Sequence, residues 1–152
     1  MSTTTTAAAA ATNKPPMGMP QPSAEHLATE RVARRLTELC AAGKHEQAMT
    51  ELYAENARHV EVMDAPWCPR LIEGKAAVMK KGEEFAKGTT VHAQSCSAPL
   101  VNGDQFVCTM TMDCTASQGP MAGQRMNISE TALYTVKNGK IVEGKFFYGC
   151  GA

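Results

Sequence analysis

From Met126 to Val136 the chain alternates between two sets of positions. Met126, Ile128, Glu130, Ala132, Tyr134 and Val136 fall on one side. Arg125, Asn127, Ser129, Thr131, Leu133 and Thr135 fall on the other. A period of two predicts a strand with one dry face. Glu130 interrupts the dry set. A carboxylate there must be paired, protonated or turned toward a cavity, because burying it bare is too costly. In all, strands are predicted over 91–101, 105–115, 124–136 and 140–148. Phe106, Cys108, Met110, Met112 and Cys114 share one face of the second of these. Asn102-Gly103-Asp104 reads as a turn, and Gly119-Pro120 marks a longer connection. Asn138-Gly139 is the signature of a two-residue type I′ hairpin.

Before Gly88 the period is helical. Ser23 is a plausible N-cap after Pro22. Val32, Leu36, Leu39 and Cys40 then recur at helical spacing, and Gly43 stops the helix. A second helix is expected over 44–55, with Ala48, Met49, Leu52 and Tyr53 as its stripe. A short strand is expected over 59–63. Pro66 and Pro69 fall in the loop that follows. A third helix over 74–87 should carry Val78, Met79, Phe85 and Ala86 inward. Helix, helix, strand, helix and four antiparallel strands predict an α+β architecture, a curved sheet around three helices.

The chain has 152 residues, which fits one domain. Residues 1–22 are Thr/Ala-rich and then Pro/Gly/Met-rich, and Lys14 is their only charge. They have no apolar period and are expected to be a disordered tail, with the domain over 23–150. Fifteen basic and fifteen acidic residues give zero formal charge. That balance argues against nucleic acid or an anionic membrane as partner. No run approaches the length of a membrane span. No basic segment followed by an apolar core marks a secretory signal. The six cysteines form no C-x-x-C pair. They read as buried free thiols in a reducing, cytoplasmic compartment. His92 and Cys96 are the core of the only metal alternative. Four residues along a strand hold them about 13 Å apart, so no metal is expected. A nucleophile elbow, a phosphate loop and a dinucleotide fingerprint are all absent, and no cofactor is expected.

Three stretches carry a resemblance. Glu51-Leu52-Tyr53-Ala54-Glu55-Asn56-Ala57 is similar to the entry to the first strand of nuclear transport factor 2-like proteins. Leu71-Ile72-Glu73-Gly74-Lys75-Ala76-Ala77 resembles their following loop-to-helix step. Tyr134-Thr135-Val136-Lys137-Asn138-Gly139-Lys140-Ile141-Val142 with Phe146-Phe147-Tyr148 resembles the closing hairpin of SnoaL-like domains. The similarity spans roughly residues 27–148. It implies a cone-shaped α+β fold, a homodimer and an apolar small-molecule pocket. It does not imply a reaction, because the fold hosts enzymes and binding modules alike. Ketosteroid isomerases share the fold, and there an aspartate moves the proton while a tyrosine and a protonated aspartate hold the enolate oxygen. Ungapped alignment on Tyr53-Ala54-Glu55-Asn56-Ala57 puts Glu61 at the base position, with Asp64 as the alternative. The protonated acid falls at Glu130 or Thr131. The tyrosine of the first helix falls near Leu36, which has no hydroxyl, and steroid isomerisation is not expected.

The candidate catalytic pair is therefore Glu61 and Glu130. Met110, Met112, Tyr134 and Trp67 are the candidate ligand-binding residues. Each has a plainer reading. Glu130 can be a pocket acid, a structural acid paired with an arginine or backbone donor, or part of a wet face. Glu61 shares a strand face with His59 and Met63 and can simply face solvent. Trp67 can lid a pocket or anchor its Pro-flanked loop, and His92 reads as a structural histidine. Asp113 and Arg125 can pair across strands. A two-residue loop at Asn138-Gly139 places Tyr134 opposite Glu143 and Ala132 opposite Lys145. That register brings charge onto the dry face and leaves both faces partly covered, one by helices and one by a partner subunit. Two functions stay open: a small-molecule-binding module, or a cofactor-free isomerase- or cyclase-type enzyme that moves protons on a carbonyl compound.

Overall fold

The computed structural model describes residue 18 and residues 20–149. The expected tail and Cys150 lie largely outside those residues. The first helix, α1, runs Ala24–Ala41. The Ser23 hydroxyl caps it by accepting from the His26 amide at 3.0 Å. Val32, Leu36, Leu39 and Cys40 are all buried, as their spacing requires. Helix α2 is His45–Leu52, strand β1 Tyr53–Val60, strand β2 Leu71–Glu73 and helix α3 Lys75–Lys87. Five strands follow: β3 Thr89–Cys96, β4 Leu100–Asn102, β5 Gln105–Ala116, β6 Arg125–Lys137 and β7 Lys140–Phe147.

The strands form one sheet in the order β2-β1-β7-β6-β5-β3, with β4 beside β3 on the same edge of β5. Every pairing is antiparallel except β1 with β7. Helix α1 packs across β3 to β6, and α3 covers β1, β2 and β3. The core lies between the helices and one sheet face: Leu36 and Val78 from above, Phe106, Cys108, Tyr134, Val136 and Ile141 from below. The three-helix α+β architecture is thus as the sequence pattern predicts.

Five local expectations are corrected. The second helix ends at Leu52 rather than 55, because Tyr53 pairs with Ile141 of β7. Sheet pairing there overrides a helical stripe. The first strand accordingly covers 53–60 and not 59–63. The strand expected over 91–101 is two strands, broken between Cys96 and Leu100, where Pro99 supplies no amide hydrogen. Phe85 is 46% exposed and Ala86 is exposed, since burial along α3 stops after Gly82.

The fifth correction concerns register. Asn138 and Gly139 both adopt positive φ, 50° and 71°, as a type I′ turn demands. Lys137 pairs with Lys140 and Val136 with Ile141, but Thr135 then pairs with Glu143. One extra residue, Val142, is bulged on β7. Tyr134 therefore faces Gly144 and Ala132 faces Phe146, not Glu143 and Lys145. The bulge moves both charges to the outer face and leaves the inner face of the hairpin apolar around Tyr134 and Phe146.

Candidate functional site

Glu130 sits on the inner face of β6, directly opposite Met110 of β5. It is half-buried. Burial pushes its carboxyl above the usual range. The negative charge of Glu61 pushes it further, and Lys81 opposes both. The structure thus brings the two candidate acids within electrostatic reach of each other.

Glu61 lies one residue past β1, where its amide donates to the Arg70 carbonyl at 2.8 Å. The side chain is buried and forms an ion pair with Lys81 of α3. The Lys81 ammonium also lies 5.3 Å from the centroid of the Phe146 ring. Tyr148 packs nearby. Burial and the Glu61 charge hold its phenol above its ordinary pKa.

His59 precedes Glu61 by two residues and is also buried. Its Nε2 lies 2.9 Å from the Tyr53 hydroxyl. Its ring meets Phe146 edge-on, with centroids 4.7 Å apart. Burial, aided by the Lys81 charge, holds the imidazole down at about 3, so it is neutral at neutral pH. The phenols of Tyr53 and Tyr134 are both pushed up, first by burial, and remain protonated. Cys40 lies in the same interior, with its thiol pushed up to about 12 by burial and by the charges of Cys96 and Glu130.

The remaining candidates are placed as follows. Met110 is half-buried against the core. Met112, opposite Ile128, lines a groove of about 310 Å³ that Ser95, Thr111, Asp113, Asn127 and Ser129 also line. Tyr134 is buried and stacked on Phe106 at 4.9 Å, so it belongs to the packed core. Asp64 is exposed, and its carboxylate accepts from the Arg70 amide at 3.1 Å, closing the loop. Trp67 in that loop is 69% exposed. Asp113 and Arg125 form a two-point pair at 2.9 and 2.7 Å on the outer face. His92 bonds Thr115 at 2.7 Å. Leu36 is a core residue of α1, with no hydroxyl to offer. The five described cysteines are free. Among the described residues, no group of three or more His, Cys, Asp or Glu side chains could hold a metal ion. No helix among them is long and apolar enough to cross a membrane.

Lys81, His59, Tyr53 and Tyr148 complete the cluster around the two acids, and the sequence pattern did not single them out. Lys81 stands three residues after Val78, so the helical stripe does place it toward the sheet. Tyr53 was masked by the helical period that precedes it.

The profile of the SnoaL-like domain family matches residues 27–148. Among solved structures, the chain is similar to a proposed SnoaL-like polyketide cyclase from Mesorhizobium loti, also described as a carbohydrate phosphatase. The two are 35% identical over 78% of this chain and 97% of that one, with a TM-score of 0.72. A proposed isomerase from Bacillus subtilis shares the fold at 20% identity, with a TM-score of 0.62, over 84% and 90% of the two chains. A proposed SnoaL-like polyketide cyclase from Jannaschia sp. shares it at 15% identity and a TM-score of 0.63, over 86% and 91%. No curated protein matches the chain.

Proposed function

The chain belongs to the SnoaL-like domain family, and we propose that it binds a small, largely apolar molecule carrying a carbonyl group, inside the fold beside Glu130. One observation carries this reading: an acid raised by burial on the inner sheet face, with the buried, lysine-paired Glu61 close enough for its charge to be felt there. A protonated carboxyl in apolar surroundings is a hydrogen-bond donor to a ligand oxygen. Met110 opposite it is unbranched and can yield space to a ligand.

A second reading is proton transfer on that ligand, and the unlike surroundings of the two acids favour it, Glu61 being paired with Lys81 and Glu130 lying opposite Met110. Glu61 would take a proton from the carbon next to the carbonyl while Glu130 steadies the oxygen. The proposed isomerase and cyclase names of the structural neighbours agree with such chemistry. The Glu61 carboxylate is already engaged by Lys81, so binding stands first and turnover second.

The test is exchange of α-protons for deuterium in 2-tetralone, followed by NMR in D2O. Proton transfer predicts exchange above the buffer rate that falls at least about tenfold in both Glu61→Gln and Glu130→Gln. Binding alone predicts a saturable ketone complex with no added exchange. No binding at all removes both readings.

A homodimer through the sheet is proposed alongside. Leu100, Val107 and Leu133 form a cross-strand row on the outer face, and Leu100 is 77% exposed. Phe147 is exposed on the same face, opposite Thr131. A surface of this kind is a contact candidate. A monomer mass by light scattering at micromolar concentration would remove it.

A further inference from the structure

We propose that His59 contacts the bound ligand directly: its Nδ1–H donates to the ligand's carbonyl oxygen, and Tyr53 fixes the tautomer that allows this. The inference rests on the reading that the ligand carries a carbonyl group, and it names a residue that meets that group.

The starting point is an unpaired atom. Nδ1 of His59 is the only buried side-chain nitrogen or oxygen without a hydrogen-bond partner among the described residues. Such an atom gives up its hydration without a replacement, and folded proteins keep few of them. The ring cannot turn to find a partner. Phe146 meets it edge-on at an interplanar angle of 72°, and Tyr53 does so at 70°. Beneath it lies Gly144, where even a Cβ would stand 3.3 Å from His59 Cδ2. An imidazole held this firmly with one nitrogen unused is preorganised for something that the chain itself does not supply.

The tautomer follows from the neighbours. The Tyr53 hydroxyl lies 2.9 Å from Nε2 and keeps its proton. When it donates to Nε2, the neutral ring carries its hydrogen on Nδ1. A neutral N–H suits a carbonyl oxygen and adds no second cation beside Lys81. Neutral histidines act as electrophiles in enolisation for this reason. The opposite tautomer would present a lone pair at Nδ1 and repel the carbonyl. No bond to hydrogen breaks at His59. Its hydrogen bond strengthens as negative charge builds on the ligand oxygen.

The test uses the full chain with 15N-labelled histidine, and 2-tetralone with its hydrocarbon counterpart tetralin as probes. Long-range proton–nitrogen spectra distinguish Nδ1–H from Nε2–H. The expected result is the Nδ1–H tautomer in the free protein at pH 7, and a saturable shift of Nδ1 with 2-tetralone but not with tetralin. Tyr53→Phe keeps the ring and removes the hydroxyl. It should mix the tautomers and weaken 2-tetralone binding about tenfold while leaving tetralin unchanged. An Nε2–H tautomer in the free protein overturns the inference without reference to any ligand. So does an unmoved Nδ1 while the Met110 methyl signal reports bound ketone, and in that case the ligand reading survives. Failure of both probes to bind overturns the two together.

Discussion

Gly144 faces Tyr134 across β6 and β7, and the space above it is already taken. A Cβ at Gly144 would stand 3.1 Å from Tyr134 Cε1, 3.2 Å from Phe146 Cζ and 3.3 Å from His59 Cδ2. Three rigid rings cannot all give way. Gly144→Ala should destabilise the fold by about 1–3 kcal/mol, the usual cost of overpacking. Gly149→Ala, with nothing within 4 Å, should stay within about 0.5 kcal/mol. Denaturant midpoints measure both. Equal midpoints for the two variants would contradict the packing described.

Glu61 and Lys81 should behave as a coupled pair. Lys81→Met leaves a buried carboxylate without its counter-charge. The loss should be on the order of 1–3 kcal/mol, between the values for exposed and fully buried pairs, since Lys81 keeps some solvent contact. Adding Glu61→Gln should recover most of it. A double-mutant cycle in urea reads the coupling, and strict additivity would show that the pair is incidental.

His59 sets an acid limb. Unfolded, it takes a proton near 6.5, and folded only at about 3. Between those values the unfolded chain holds more protons, so stability rises with pH. Its contribution is complete above about 6.5 and is lost as the solution is acidified toward 3. His59→Gln should flatten the slope of unfolding free energy across that window. An unchanged slope would mean that the imidazole is not held neutral by burial.

Glu130 acts with the opposite sign. Its folded pKa is raised from 4.5, so just above that pH the folded chain keeps a proton that the unfolded chain has lost. Stability therefore falls as pH rises through the folded value. Glu130→Gln removes the falling limb. The melting temperature of the variant relative to the parent should climb between pH 4 and pH 8. A constant difference would place the carboxylate in solvent.

The alternation around Glu130 and the helical stripe of α1 were legible because each is a long run of one period. The architecture followed from their order. The register of the last hairpin was not legible. Asn138-Gly139 specifies the turn, but the bulge at Val142 arises from packing: an unbulged β7 would bury Glu143 and Lys145. Tyr53 was hidden because it ends a helical stripe and is claimed by β7, a partner 88 residues away, through the Tyr53–Ile141 pairing. The two acids could be named from spacing and family resemblance. Lys81 and the His59–Tyr53 contact could not, since they depend on how α3 packs over β1 and on where β1 joins the sheet.

The central claim is that a ligand carbonyl meets Glu130, whose carboxyl burial holds above the usual range, inside the fold. It is tested most directly by titrating the protein, 13C-labelled at glutamate carboxyls and methionine methyls, with 2-tetralone and with tetralin. The account predicts saturable shifts at Glu130 and Met110 with the ketone, and binding of the ketone about tenfold tighter than that of the hydrocarbon. Glu130→Leu should abolish that difference. Shifts confined to the outer-face groove at Thr111 and Ser129, or equal affinity for the two compounds, would contradict it.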